Sequence, residues 1–170
     1  MKYFFETYGC QMNSAESAAL VLACRERGWE EAPDGECADL VLINTCSVRA
    51  TAEQRALGRI ALYASLKKKR LAKGQNFAFV IAGCMAQRMG DDLKEKFPAV
   101  DYIMGTASRS LFPLILEDVE KNIDDGNFQE IIQDEKPQFS FSLSHLEIGE
   151  NKAAVRSFVP IMHGCNNYCS

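Results

Sequence analysis

At 170 residues, 47% hydrophobic and 25% charged, the chain is long enough for one good core and has the make-up of an ordinary globular protein. Its net charge of −4 offers no general basic field for nucleic acid, so any large RNA-binding surface is expected outside these residues. No apolar run reaches the roughly 18–20 residues that cross a bilayer, the N-terminus lacks a signal-peptide pattern, and seven cysteines at irregular spacing argue against a disulfide framework, which together predict a cytoplasmic protein without membrane contact.

Lys2–Thr7 reads as a buried first strand. Asn13-Ser14-Ala15-Glu16 has the form of a capping box, with Asn13 as N-cap and Glu16 reaching back. The helix it opens runs through Ala18, Leu22 and Arg25 and stops at Gly28. Trp29–Ala32 is a candidate short strand, Pro33-Asp34-Gly35 a turn, and Leu40-Val41-Leu42-Ile43, within Ala38–Asn44, a central parallel strand. A long helix is predicted from Ala50 to Lys73, closed by Gly74. A buried strand over Phe77–Ala82 follows, then a helix over Asp91–Phe97 stopped by Pro98, a short strand over Tyr102–Met104, and a helix over Ser108–Asn122 with Gly126 beyond it. This alternation implies an α/β fold, a parallel sheet flanked by helices with right-handed crossovers. No internal repeat or glycine-rich phosphate loop is present.

Composition shifts beyond this point. Between Glu117 and Glu135 eight acidic residues face the single base Lys121, and a Ser/Phe alternation follows Lys136-Pro137. Residues 127–156 read as a connecting segment. Ser157–Met162 reads as a new buried strand leading into Cys165 and Cys169.

Cys10, Cys46 and Cys84 each stand just past a predicted strand. In a parallel sheet those positions share the carboxyl edge, where ligands bind, so thiols far apart in sequence would meet. Three converging thiolates with no histidine nearby favour an iron–sulfur cluster over structural zinc, which usually takes four protein ligands. A dithiol oxidoreductase is disfavoured, because there is no Cys-x-x-Cys. Cys24 and Cys37 read as ordinary core or surface residues. The run Lys67-Lys68-Lys69-Arg70 reads as a complement to its helix dipole.

Tyr8-Gly9-Cys10-Gln11-Met12-Asn13, Asn44-Thr45-Cys46-Ser47-Val48-Arg49 and Ala82-Gly83-Cys84-Met85-Ala86-Gln87 together resemble the N-terminal domain of the radical S-adenosylmethionine methylthiotransferase family. Val159-Pro160-Ile161-Met162-His163-Gly164-Cys165-Asn166-Asn167-Tyr168-Cys169-Ser170 resembles the start of that family's radical barrel, so the likeness covers nearly the whole chain. Gln11-Met12-Asn13 leans toward the branch acting on dimethylallyladenosine in tRNA. The resemblance implies a Rossmann-like N-terminal domain over 1–126, a connecting segment over 127–156 and the first strand of a truncated barrel over 157–170. It also implies two 4Fe-4S clusters. Cys10, Cys46 and Cys84 match the ligands of an auxiliary cluster that supplies sulfur. Cys165 and Cys169 match two of the three ligands of the cluster that binds S-adenosylmethionine and generates the 5′-deoxyadenosyl radical. Implied partners are tRNA as substrate and an electron donor such as flavodoxin or ferredoxin, and the expected state is a monomer.

The third cysteine of the radical cluster, most of the barrel and an RNA-binding domain are not among these residues, so the chain is expected to be a fragment, inactive alone and carrying one cluster. Related substrates, a threonylcarbamoyladenosine tRNA or a ribosomal-protein aspartate, and a non-catalytic cluster-binding module are the alternatives. His163 reads as structural. Arg49 reads either as a charge offered to sulfur or phosphate, or as a solvated residue at a helix start.

Overall fold

The computed structural model describes residues 1–47 and 50–128. In chain order these form β1 (Lys2–Tyr8), α1 (Gln11–Glu26), β2 (Glu30–Glu31), β3 (Leu40–Thr45), α2 (Ala50–Leu71), β4 (Ala78–Gly83), α3 (Cys84–Lys96), β5 (Tyr102–Met104), a 3-10 helix (Thr106–Leu111) and α4 (Phe112–Asn122). The strands make one sheet in the order β2-β1-β3-β4-β5, with every pairing parallel. This is the α/β architecture that the alternating strand and helix patterns predict.

Every residue of β3 and β4 is buried, because both faces of these central strands are covered. Successive side chains then separate into two cores. Leu40, Leu42, Val80 and Ala82 pack with Leu20 and Cys24 of α1 and Phe112, Ile115 and Leu116 of α4. Val41, Ile43, Phe79 and Ile81 pack with Ile60 and Tyr63 of α2 and Met85 and Leu93 of α3. Helices α1 and α4 thus cover one face and α2 and α3 the other. The connection after β1 leads outward to β2, and β3 lies on the opposite side of β1. That reversal makes the carboxyl ends of β1 and β3 the topological switch point, where open α/β sheets place ligands.

Three element boundaries depart from the sequence reading. Helix α1 begins at Gln11 with Cys10 as its N-cap, three residues before the expected N-cap Asn13, which instead is the third helical residue and accepts from the Cys10 N–H. Asn13 is buried, and its amide is occupied at the end of β3, while Glu16 pairs elsewhere. Helix α3 starts at Cys84 rather than Asp91 and carries a non-helical residue, Met89, inside it. Gly83, at φ 97°, turns the chain sharply enough for the helix to begin at once, with no side-chain cap to mark it in the sequence. The segment expected as one helix over Ser108–Asn122 is split, with Pro113 in the first turn of α4, where its missing N–H costs nothing.

The basic run at the end of α2 also divides. Lys67 is buried and paired with Asp101, and Arg70 donates to the carbonyls of Ala38 and Asn76 at 2.7 and 2.8 Å. Only Lys68 and Lys69 are exposed as a dipole complement would be. Arg49, residues 129–156 of the connecting segment, the strand expected at Ser157–Met162, and His163, Cys165 and Cys169 lie outside the described residues.

Candidate functional site

Register decides what meets at the carboxyl edge. Tyr8 pairs with Thr45 and Thr45 with Gly83, so β1, β3 and β4 end level with one another. Cys46 and Cys84 are the next residues after that line, and Cys10 is one residue further on. Neighbouring strands are about 4.8 Å apart, so the three cysteines stand at three consecutive strand ends across the switch point. Cys46 is buried, Cys84 half-buried and Cys10 exposed. Gly9 lets the first two loops close up: a Cβ there would lie 2.6 Å from Cys46 Cβ and 2.5 Å from Asn13 Oδ1. Gly83 does the same between β3 and β4, where a Cβ would lie 2.5 Å from Asn44 Oδ1.

A buried polar network lies beneath these turns. The inward stripe of α1 is Asn13, Glu16, Ser17, Leu20 and Cys24, so its first half is polar where it faces the sheet edge. Asn13 Oδ1 accepts from the Cys10 N–H at 3.3 Å and from the Cys10 thiol at 3.2 Å. Its Nδ2 donates to Asn44 Oδ1 at 3.0 Å and to the Thr45 carbonyl at 2.9 Å. The amide cannot be turned over, because the Cys10 N–H only donates and the Thr45 carbonyl only accepts. Asn44 Nδ2 donates to the Asn13 carbonyl and Ser17 Oγ, both at 3.0 Å, and more distantly to Glu16 at 3.5 Å. Glu16 in turn accepts from Arg109, which arrives from the 3-10 helix beyond β5.

The electrostatics follow from burial. Burial pushes the Cys84 thiol up, and Cys46, Glu16 and Cys10 push it further, with Arg109 opposing. Burial also raises the Glu16 carboxyl, against the pull of Arg109 and Asn44. It lowers Arg109, against Glu16 and Cys84. Glu16 and Arg109 therefore act in opposite directions on the Cys84 thiol.

Cys24 and Cys37 stand apart. Cys24 is fully buried in the α1 core, its thiol pushed up to about 12 by burial. Cys37 is exposed in the loop before β3, at the other end of the sheet. Among the described residues, no three His, Cys, Asp or Glu side chains surround one point closely enough for a single metal ion. A multi-iron cluster asks for something different, since each cysteine binds its own iron. Three thiols at consecutive strand ends suit that chemistry. A cleft of about 290 Å³ beside β5, lined by Gly90, Lys94 and Tyr102 among others, contains none of the thiols.

Asn13, Asn44, Glu16 and Arg109 belong to this site, and the sequence reading assigned none of them to it. Arg109 carried no usable signal, since it stands inside the 3-10 helix, five residues past the end of β5. For Asn44 the signal was a polar residue closing an all-apolar strand.

Comparison with known proteins adds a family. Residues 2–105 match the model of a family described as Uncharacterized protein family UPF0004. A tRNA-2-methylthio-N(6)-dimethylallyladenosine synthase of Treponema pallidum (strain Nichols) is 42% identical over 172 residues, covering 100% of this chain and 37% of the relative. A protein of the same name from Treponema denticola is 42% identical over 174 residues, with the same coverage. Another, from Dictyoglomus thermophilum, is 37% identical over 169 residues, covering 99% of this chain and 36% of the relative. The chain thus spans little more than a third of the length of these relatives.

Proposed function

Because the chain belongs to the uncharacterized protein family UPF0004, we propose that it forms the N-terminal part of a tRNA methylthiotransferase, one that adds a methylthio group to the adenine ring of dimethylallyladenosine beside the anticodon. The observation that carries this reading is the alignment of Cys10, Cys46 and Cys84 at three consecutive strand ends over the switch point. The name of the relatives supplies the substrate. Residues 1–126 form the domain that presents this edge, and 157–170 open the next.

In this reading Cys10, Cys46 and Cys84 hold an auxiliary 4Fe-4S cluster, and Cys165 and Cys169 contribute to the S-adenosylmethionine cluster of the longer protein. The bound clusters supply one-electron chemistry and a sulfur-accepting iron that no side chain can provide. The chain's own residues do the rest. Asn13 holds the Cys10 turn against the end of β3, Gly9 and Gly83 let the three turns approach, and burial of Cys46 keeps water from one side of the site. tRNA is the substrate and a flavodoxin or ferredoxin the electron donor.

Anaerobic reconstitution of the chain tests the ligands. The wild type takes up about one 4Fe-4S cluster, Cys46→Ala loses most of its iron, and Cys24→Ala retains it. Iron retained by Cys46→Ala overturns the assignment. The substrate is tested in the longer protein, expressed in a host lacking its own enzyme, by mass analysis of digested tRNA. Methylthio-dimethylallyladenosine appears with the wild type and not with Cys46→Ala. Cluster binding with no change in tRNA would favour a binding module.

A further inference from the structure

The Glu16–Arg109 ion pair lies at the cysteine edge, largely withdrawn from water. Its side chains are 7% and 17% exposed, and it joins residues 93 positions apart. Charge of this kind is costly to bury, and apolar residues of similar size often serve a core as well or better. The pair is also not isolated. Glu16 lies one turn beyond Asn13 on α1, and Asn44, which donates to Glu16, is bonded to Asn13 and abuts Gly83, the residue before Cys84. The guanidinium is brought in by the segment after β5, where Gly105 lies close against Gln87 of α3, the helix that Cys84 opens.

We infer that Arg109 is the charge that tunes the reduction potential of the iron–sulfur group held by Cys10, Cys46 and Cys84, with Glu16 as the positioning residue that fixes and partly offsets that charge. The inference rests on the cluster reading of the three cysteines. Its physical basis is that net charge near a cluster sets its potential, and that a charge in a poorly solvated site acts more strongly than one in water. A positive charge favours the reduced, more negative cluster, and a negative charge favours the oxidised one. Arg109→Gln takes one positive charge from the edge, and Glu16→Gln takes one negative charge. The two neutralising substitutions therefore move the potential in opposite directions. A merely structural pair would not produce that signature.

The test is a redox titration of the reconstituted 170-residue chain with dithionite, followed by electron paramagnetic resonance, with iron content measured in parallel. Arg109→Gln is expected to lower the midpoint potential, Glu16→Gln to raise it, and the double variant to return close to the wild type. Shifts of the same sign, or none, overturn the inference. If Arg109→Gln fails to fold, Glu16→Gln decides alone, because its amide oxygen still accepts from Arg109; a potential that is unchanged or lowered rejects the inference. A wild-type chain that binds no cluster dependent on Cys46 sinks the ligand reading itself. A normal cluster with unmoved potentials sinks only the role of the pair.

Discussion

Replacing Asn13 separates two roles that its position allows. As a helix cap it would be interchangeable with Ser or Asp, and Ala would cost about 1 kcal/mol. In the fold it accepts from the N-cap and also bridges two strand ends. Its Nδ2 satisfies Asn44 Oδ1 and the Thr45 carbonyl, both buried, and its Oδ1 takes the Cys10 N–H. Leaving a buried acceptor unpaired costs roughly 1–3 kcal/mol, so two of them cost roughly 2–6. The better helix propensity of Ala returns about 0.5 kcal/mol. Asn13→Ala is therefore expected to lose roughly 2–5 kcal/mol, a large share of a typical 5–15 kcal/mol. Asn13→Ser, whose hydroxyl cannot span both partners, should lose nearly as much. Urea unfolding followed by the fluorescence of Trp29, the chain's one tryptophan and a buried one, measures this directly. A Ser variant as stable as the wild type would show that Asn13 only caps, and would refute the bridge.

Other consequences are independent of that network. Gly83→Ala should cost at least about 1–3 kcal/mol, because φ 97° is strained for any side chain and the new Cβ meets the fixed Thr45 carbonyl; a melting temperature unchanged by the substitution would contradict this. Burial pushes the Glu6 carboxyl up, but Arg59 and the hydroxyls of Tyr8 and Tyr63 outweigh it and hold it below its ordinary 4.5. Its stabilising contribution is therefore present above that value and is lost as pH falls through the folded pKa. The stability gap between wild type and Glu6→Gln should narrow on acidification from about pH 6 to 3, and a gap that widens would reverse the sign argued here. Cys24, buried and with its thiol pushed up to about 12, should resist iodoacetamide at pH 8 until the chain unfolds, whereas exposed Cys37 should be labelled in the folded chain, slowed by Asp34, which holds its thiol above the ordinary value; peptide mass mapping distinguishes them.

Local pattern determined much of this protein. Apolar runs such as Leu40-Val41-Leu42-Ile43, punctuated by Gly28, Gly74 and Gly126, set the strands and helix ends, because burial on two faces and positive φ each leave a signature within a few residues. The strand-end placement of Cys10, Cys46 and Cys84 was legible for the same reason. Tertiary structure decided the order β2-β1-β3-β4-β5 and the level ends of β1, β3 and β4, since pairing joins segments dozens of residues apart. It also decided the start of α3, which rests on a glycine turn against β3 rather than on a cap. The second life of Asn13, Glu16 and Arg109 was likewise invisible in sequence. A polar residue on a helix reads as surface or cap until a partner is in place, and for Glu16 that partner is 93 residues away. The cost of an unpaired buried polar group then makes the partnership obligatory, and only the assembled sheet edge supplies it.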